Sequence, residues 1–169
     1  MLPPNKTFPH AMLREIFEQP TAIAETLAAY TEANCLREDT FRTALQALVG
    51  KESLLISASG SSRHAGLVGE ILFEDLAGIP VDVEYASEYI YRSQHTHRHA
   101  GLLVISQSGE TADTLTALRE AKSRGLPTVA ITNNPKSSMA VEADASLSTY
   151  AGAEQAIPAT KSFTTQLAV

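Results

Sequence analysis

The chain has 169 residues, which is enough for one domain with a sizeable core and too few for two full domains. Hydrophobic residues make up 44% and charged residues 19%, a composition that excludes a largely disordered chain. The formal charge of -6 argues against a general nucleic-acid-binding surface, because such surfaces carry a basic patch or stripe.

The N-terminal part of the sequence predicts an irregular arm followed by helices. Residues 1–10 contain three prolines and are interpreted as the arm. Apolar residues then recur at helical spacing over residues 11–34, and Pro20 divides this pattern into two short predicted helices. A further helix is predicted over residues 39–49. We therefore assign residues 11–50 to N-terminal helices that precede the main domain.

From residue 53 onward, apolar strands alternate with helices. The predicted strands are residues 53–57, 80–85, 102–105, 128–131 and 145–148. Continuous apolar runs between helices indicate strands buried on both faces, and hence a parallel sheet. The predicted fold is α/β: a doubly wound five-stranded parallel sheet in a three-layer αβα sandwich. In such folds ligands bind at the carboxyl ends of the strands.

The third predicted strand runs directly into a hydroxyl-rich loop, SQSGET, which begins at Ser106 and ends at Thr111. A helix follows, so its free N–H groups and its dipole favour an anion at this junction. Ser106, Ser108 and Thr111 add hydroxyl donors, and Gly109 lets the backbone approach a ligand closely. We expect the Glu110 carboxylate to point away from the anion or to bind a sugar hydroxyl. Local chemistry alone leaves a second interpretation open, namely a helix capped by Ser or Thr.

A similar turn of Ser59, Gly60, Ser61 and Ser62 follows the first predicted strand. The first and third strands of a doubly wound sheet can flank the crevice at which the strand order switches. Two serine- and glycine-rich turns can therefore face one ligand there, which favours a binding site over two unrelated caps.

Several basic residues near these turns are interpreted as surface residues. Arg63 and His64 lie on the first predicted helical turn after the serine-rich segment and are assigned to the surface rather than to a phosphate. His95, His97 and His99 occupy alternate positions, but Arg98 lies between two of them, so a solvated loop is favoured over a metal site. No metal and no cofactor are expected.

The last segment of the chain, residues 154–169, leads into a predicted helix. Thr160 is interpreted as its cap, and Lys161 either pairs with the charge of a substrate or is an exposed lysine, the second being favoured. The helical pattern ends at Val169 without a cap, Gly or Pro, so we expect the chain to be part of a longer protein.

Cellular location is constrained by what the sequence lacks. Cys35 is the single cysteine, so no internal disulfide can form. No apolar run approaches the roughly 20 residues of a membrane span, and the start lacks a signal-peptide pattern. We therefore expect a cytoplasmic protein without a membrane partner.

Five strings resemble the SIS (sugar isomerase) domain family. They are similar to the first SIS subdomain in the isomerase half of glucosamine-6-phosphate synthases, the glutamine–fructose-6-phosphate aminotransferases. The strings are EIFEQP at 15–20, LAGIPV at 76–81, ASE at 86–88, SQSGETADTL at 106–115 and TKSFTTQL at 160–167. The resemblance implies a flavodoxin-like five-stranded fold, an SIS domain over residues 51–169 and a homodimer.

The resemblance also implies site residues for a phosphosugar, fructose 6-phosphate or glucosamine 6-phosphate. The matched phosphate-binding positions are Ser106, Gln107, Ser108 and Thr111, the matched sugar-contacting positions are Ser62, Ile157 and Ala159, and further possible contacts are Gly60, Ser61, Gly109 and Lys161. The acid–base residues of such enzymes lie in a second SIS subdomain, so no catalytic residue is assigned in this chain.

The departures from the synthase pattern bear on the reaction. The first turn usually reads Cys-Gly-Thr-Ser there, and residues 159–163 here are closer to SIS proteins without a glutaminase half, including isomerising glucosamine-6-phosphate deaminases. The implied function is the phosphosugar-binding half of an isomerase or deaminase that uses free ammonia. The glutamine-dependent synthase is the alternative enzyme. A non-catalytic phosphosugar sensor is the alternative from another class, although residues 11–49 show no basic recognition helix.

Overall fold

The computed structural model of the protein describes residues 8–91 and 99–169. In chain order the elements are α1 (Ala11–Tyr30), β1 (Thr31–Glu32), β2 (Cys35–Leu36), α2 (Glu38–Leu48), β3 (Ser53–Ala58), α3 (Gly60–Ala77), β4 (Val81–Tyr85), α4 (Ala86–Tyr89), β5 (Ala100–Ser106), α5 (Ala112–Ser123), β6 (Thr128–Thr132), α6 (Ser138–Glu142), β7 (Ala145–Ser148) and α7 (Lys161–Ala168). Each of the five strands predicted after residue 53 is present, with bounds that differ by at most two residues.

The described residues form one five-stranded sheet in the order β4-β3-β5-β6-β7, and every neighbouring pair is parallel. The chain moves outward from β3 to β4, then returns to the other side of β3 to begin β5. The strand order therefore switches between β3 and β5, the first and third strands of the sequence prediction. This confirms the doubly wound, flavodoxin-like fold and fixes the carboxyl edge at which ligands of such folds bind.

Helices cover both faces of the sheet. Alternate strand residues point to opposite sides, so each face contributes apolar side chains to its own buried cluster. On one face Leu102 and Val104 pack against α5 in a buried cluster that includes Ala117 and Leu118. On the other face Ile56 belongs to a second buried cluster with residues of α2 and of the remaining strands. The predicted three-layer sandwich is thus confirmed.

The prediction of two short helices before residue 34 is wrong, because α1 is continuous and contains Pro20. A proline inside a helix leaves the carbonyl four residues earlier without its N–H donor. Here that carbonyl belongs to Ile16, and the Gln19 side-chain amide donates to it at 3.0 Å. The side chain supplies the hydrogen bond that Pro20 cannot make, so the helix continues past it.

The short hairpin of β1 and β2 was missed by the sequence prediction. It turns through Ala33 and Asn34, both of which have positive φ angles of 49° and 64°. Each strand has only two residues, so no alternating pattern exists that could have revealed it.

Three findings concern the predicted arm, the histidine segment, and the expectations on metal sites and membrane spans. Residues 1–7 of the predicted arm, and His95 and His97 of the histidine segment, lie outside the described residues, whereas His99 is exposed. Over 8–91 and 99–169, no three His, Cys, Asp or Glu side chains are grouped as a metal site would require. Across the same residues, no helix combines the length and apolar character needed to cross a bilayer.

Candidate functional site

The phosphate loop, defined as residues 106–111 between β5 and α5, is held in shape by bonds among its own residues. The Ser106 and Thr111 hydroxyl oxygens are 2.9 Å apart, and the Gly109 N–H donates to Ser106 Oγ at 3.2 Å. The Glu110 N–H donates to Ser108 Oγ at 3.1 Å. The Ser108 oxygen thus accepts a hydrogen bond within the loop.

The helix that follows the phosphate loop begins without a side-chain cap. Thr111 occupies the cap position of α5, but its hydroxyl bonds Ser106 and makes no capping bond to the helix. The first-turn N–H groups of a helix need partners from outside the helix, and they attract negative charge. The side chain of Thr111 therefore does not cap α5, which is compatible with an anion at its first turn.

The Glu110 side chain turns away from the phosphate loop. Its Oε1 atom accepts the backbone N–H of Ser138 at 2.7 Å, at the start of α6. The carboxylate is thereby directed at a neighbouring loop rather than over the site, which removes a negative charge that would repel a phosphate.

Gly109 is required by the packing of a neighbouring loop against the phosphate loop. Its φ is 68°, and a Cβ atom placed there would lie 2.1 Å from Ser137 Oγ and 2.8 Å from Thr132 Oγ1. The loop after β6 therefore fills the space beside Gly109. Only glycine allows the two loops to lie so close together.

The serine turn, defined as residues 59–62, lies beside the phosphate loop at the same edge of the sheet. Ala58 pairs with Ile105 across β3 and β5, so the residues that follow each strand leave the sheet side by side. Ser62 is 7% exposed, and Gly60 begins α3 with a φ of 56°. The N-termini of α3 and α5 are therefore neighbours across the switch point, as the sequence predicted for the two turns.

Arg63 and His64 follow the serine turn on the first turn of α3. The Arg63 guanidinium lies 4.1 Å from the centroid of the Tyr85 ring and donates to the Val83 carbonyl at 3.4 Å. Both partners belong to β4, on the side away from β5. His64 is exposed. His64 is therefore a surface residue as interpreted, whereas Arg63 is half-buried against β4.

Asn133, which directly follows β6, joins three loops at this edge and was missed by sequence reasoning. Its N–H donates to the Gln107 carbonyl at 3.1 Å, which fixes the backbone of the phosphate loop. Its side chain donates to the Gly152 carbonyl at 2.7 Å and accepts the Ala151 N–H at 2.7 Å. The available signal was the Asn133-Asn134-Pro135 string at the end of a predicted strand, a position at which ligand-facing loops begin.

An open cavity of about 650 Å³ lies at the same edge. It is lined by Glu25, Asn133, Asn134, Tyr150, Gly152 and Ala153. None of the residues proposed from the sequence to bind the phosphosugar lines it, so the cavity lies beside the phosphate loop and the serine turn rather than within them.

The 154–160 loop carries Ile157 and Ala159, the two predicted sugar-lining residues. Both side chains are exposed, Ile157 completely. The loop follows the segment that Asn133 ties to the sheet edge and leads into α7.

Lys161 is buried, so its interpretation as an exposed lysine is wrong. Lys161 is only 5% exposed, and its ammonium nitrogen lies 2.7 Å from Glu18 Oε2 on α1. The sequence pattern could not reveal this, because the partner lies 143 positions earlier in the chain. Helix α1 packs against α7 and covers the lysine.

Helix α7 is capped by Glu154 rather than by the side chain of Thr160. The Glu154 carboxylate accepts the Thr160 N–H and hydroxyl, each at 2.9 Å, and the Ser162 N–H at 3.2 Å. Burial of this carboxyl is the largest single influence on it and opposes ionisation. The hydrogen bonds from Ser162 and Thr160 together outweigh that effect, so the pKa of Glu154 lies below its ordinary 4.5.

The comparisons with known proteins agree on one family and one fold. The SIS domain profile matches residues 47–169. The chain is 44% identical over 161 residues to the isomerizing glutamine–fructose-6-phosphate aminotransferase of Clostridium acetobutylicum, covering 95% of this chain and 26% of that protein. It is 44% identical over 162 residues to the protein of that name from Escherichia coli K12, covering 95% and 27%. The chain thus spans about a quarter of the length of these curated relatives.

Two solved structures extend the comparison. The C-terminal domain of glucosamine-fructose-6-phosphate aminotransferase from Francisella tularensis superposes with a TM-score of 0.90 at 38% identity, covering 95% of this chain and 46% of that chain. Glucosamine-6-phosphate deaminase from Thermotoga maritima gives a TM-score of 0.71 at 24% identity, covering 94% and 48%. At that identity the second likeness concerns the fold alone.

Proposed function

The chain belongs to the SIS domain family, and we propose from this premise that it binds the phosphate group of a phosphosugar in the phosphate loop. The observation that carries the proposal is the pairing of Thr111 with Ser106, which leaves the α5 N-terminus without a side-chain cap. Backbone N–H groups there, with the loop hydroxyls, are suited to a phosphate.

The proposed site extends from the phosphate loop to its neighbours. Ser106, Gln107, Ser108 and Thr111 hold the phosphate, and Ser62 of the serine turn contacts the sugar. Ile157 and Ala159 line the sugar from the 154–160 loop. Gly109 and Lys161 stay outside the direct contacts that we propose, because each has a packing or ionic partner of its own. Gly60 and Ser61 lie in the same turn as Ser62 and are secondary contacts in this proposal.

The proposed reaction of the whole protein is the interconversion of glucosamine 6-phosphate and fructose 6-phosphate with free ammonia. In the deamination direction a carboxylate base moves a proton from C2 to C1 of the open-chain aminosugar through an enolamine, the aminosugar form of an enediol-type intermediate. Water then adds to the resulting C2 imine, the C2–N bond breaks and ammonia leaves. This chain contributes the grip on the phosphate, which places the reacting carbons. We further propose that the protein is cytoplasmic and acts as a homodimer.

A glutamine-dependent aminotransferase is the second candidate, and one observation favours it. Relatives of that name are 44% identical to the chain over nearly its whole length, whereas the deaminase structure is only 24% identical. An assay of ammonia release by the full-length protein distinguishes the two candidate functions. Release of ammonia from glucosamine 6-phosphate in the absence of glutamine supports the first candidate, and turnover only with glutamine supports the second. Binding without turnover under both conditions supports a sensor.

The binding site itself is tested by calorimetric titration of this chain. We expect fructose 6-phosphate to bind and unphosphorylated fructose not to bind. The double variant Ser108→Ala with Thr111→Ala should weaken binding at least about tenfold, because two hydrogen bonds to a charged group are lost. Ser123→Ala, an exposed serine at the other end of α5, is the matched control. Unchanged affinity in the double variant would refute the assignment.

A further inference from the structure

Glu15 on α1 is a completely buried carboxylate that binds the backbone of the 154–160 loop. Its Oε1 atom accepts the Gln155 N–H at 2.6 Å, and its Oε2 atom accepts the Ala156 N–H at 3.1 Å. A buried charge is costly unless it is hydrogen-bonded. Here consecutive amides of one loop supply those bonds, and they come from residues 140 positions away.

Neighbouring side chains secure both ends of the same loop. Arg14 lies 3.5 Å from Glu15 and donates to the Gln155 side chain at 3.0 Å. At the far end, Glu154 accepts the Thr160 N–H and hydroxyl, so the loop is closed on itself. Its backbone is therefore fixed at 155–156 by α1 and at 160 by its own first residue.

Between these two fixed points the loop exposes an apolar side chain. Ile157 is 100% exposed, although the amides directly before it are held by a buried carboxylate. A loop that is ordered before a ligand arrives loses less conformational entropy when the ligand binds. The anchoring thus suits a surface that must be presented in one position.

We propose that Glu15 is a positioning residue: it holds the 154–160 loop so that Ile157 and Ala159 face the sugar of a phosphosugar bound in the phosphate loop. This rests on the proposed function, because it assumes a phosphosugar in that loop. The proposal assigns the two parts of the ligand to two loops. The phosphate is bound by a loop with hydrogen bonds among its own residues, and the sugar is contacted by a loop that α1 holds in place.

The experiment compares Glu15→Gln with the wild-type chain by two measurements. Hydrogen exchange followed by NMR should show the Gln155 and Ala156 amides exchanging about tenfold faster, since the neutral amide presents only one acceptor to two N–H donors. Calorimetry should show fructose 6-phosphate affinity falling about fivefold while inorganic phosphate affinity stays unchanged. Glu32→Gln, at an exposed glutamate of β1, is the control and should change neither.

The outcomes are distinguishable. If the amides exchange faster but fructose 6-phosphate binds as before, the positioning role is overturned. If phosphate and fructose 6-phosphate affinities fall together, Glu15 only stabilises the fold and the proposal is again overturned. If wild-type chain protects both amides but does not bind fructose 6-phosphate, it is the proposed function that fails.

A second measurement does not depend on the variant being folded. Titration of the wild-type chain with fructose 6-phosphate should shift the amide resonances of Ile157 and Ala159, whereas inorganic phosphate should shift those of the phosphate loop and leave Ile157 and Ala159 unchanged. Shifts confined to the phosphate loop with both ligands would overturn the proposal.

Discussion

The phosphate loop lies at the carboxyl edge of the sheet, and the 154–160 loop follows a segment that is tied to that edge. The two loops are held by different kinds of bonds. The phosphate loop is closed by hydrogen bonds between residues at most five positions apart and is tied to the end of β6 by bonds to the Gln107 carbonyl. The 154–160 loop depends on carboxylates of α1 that lie about 140 positions away. Perturbing α1 should therefore affect the 154–160 loop more than the phosphate loop, so the phosphate binding and the sugar contact that we propose should be separable by mutation.

The largest expected effect is on the phosphate loop itself. Gly109→Ala should cost roughly 3 kcal/mol of unfolding free energy, because the new Cβ meets Ser137 and the residue must keep a positive φ. Urea denaturation measures this. Gly125→Ala is the control, with a φ of 75° and nothing within 4 Å of its Cβ, and should cost only about 1 kcal/mol. Equal losses in both variants would contradict the packing argument.

The next effect concerns the other region. Glu18→Gln should cost about 2 kcal/mol of unfolding free energy, because it leaves the buried Lys161 ammonium without its counter-charge. Inorganic phosphate affinity should not change, since the phosphate loop makes no bond to this pair. A fall in phosphate affinity at constant stability would break the separation between the two regions.

A smaller effect should appear as a pH dependence. The folded-state pKa of Glu154 is lowered, so its hydrogen bonds stabilise the protein above the unfolded-state value near 4.5 and are lost as the pH falls through the folded-state value. Glu154→Gln should therefore cost about 1 kcal/mol of unfolding free energy at pH 7, and the difference from wild type should shrink below pH 4.5. A difference that stays constant down to pH 3 would count against this assignment.

The smallest effect sharpens the electrostatics of the phosphate loop. Asp113 is an exposed carboxylate in the first turn of α5, close to the N-terminus proposed to face the phosphate. Asp113→Asn should raise inorganic phosphate affinity about twofold in low salt, and the gain should diminish at 0.5 M NaCl because salt screens exposed charges. A gain that is independent of salt would point to a different cause.

The features that sequence reasoning reached are those whose causes are local. The strands follow from continuous apolar runs, and the loop from Ser106 to Thr111 follows from hydroxyls and a glycine between a strand and a helix. The switch point followed from topology, which the alternation of strands and helices restricts strongly. The positions of the phosphate and serine turns on one edge therefore needed no long-range information.

The features that sequence reasoning missed depend on partners far along the chain. Nothing next to Lys161 indicates that Glu18 will cover it, and nothing next to Gln155 indicates Glu15. Gly109 was singled out for its freedom to approach a ligand, and its packing against Ser137 could not be predicted without the fold. Pro20 was assigned its usual effect, which the Gln19 side chain cancels.

Asn133 connects the loops at the carboxyl edge of the sheet. Through its backbone and side chain it connects the phosphate loop to the start of the β6–α6 loop and to residues 151–152, and Glu110 adds a bond to Ser138. These bonds connect the loops that follow β5, β6 and β7. We therefore expect the amides of the three loops to become exposed together rather than loop by loop. A ligand that restrains any one of them would slow hydrogen exchange in all three.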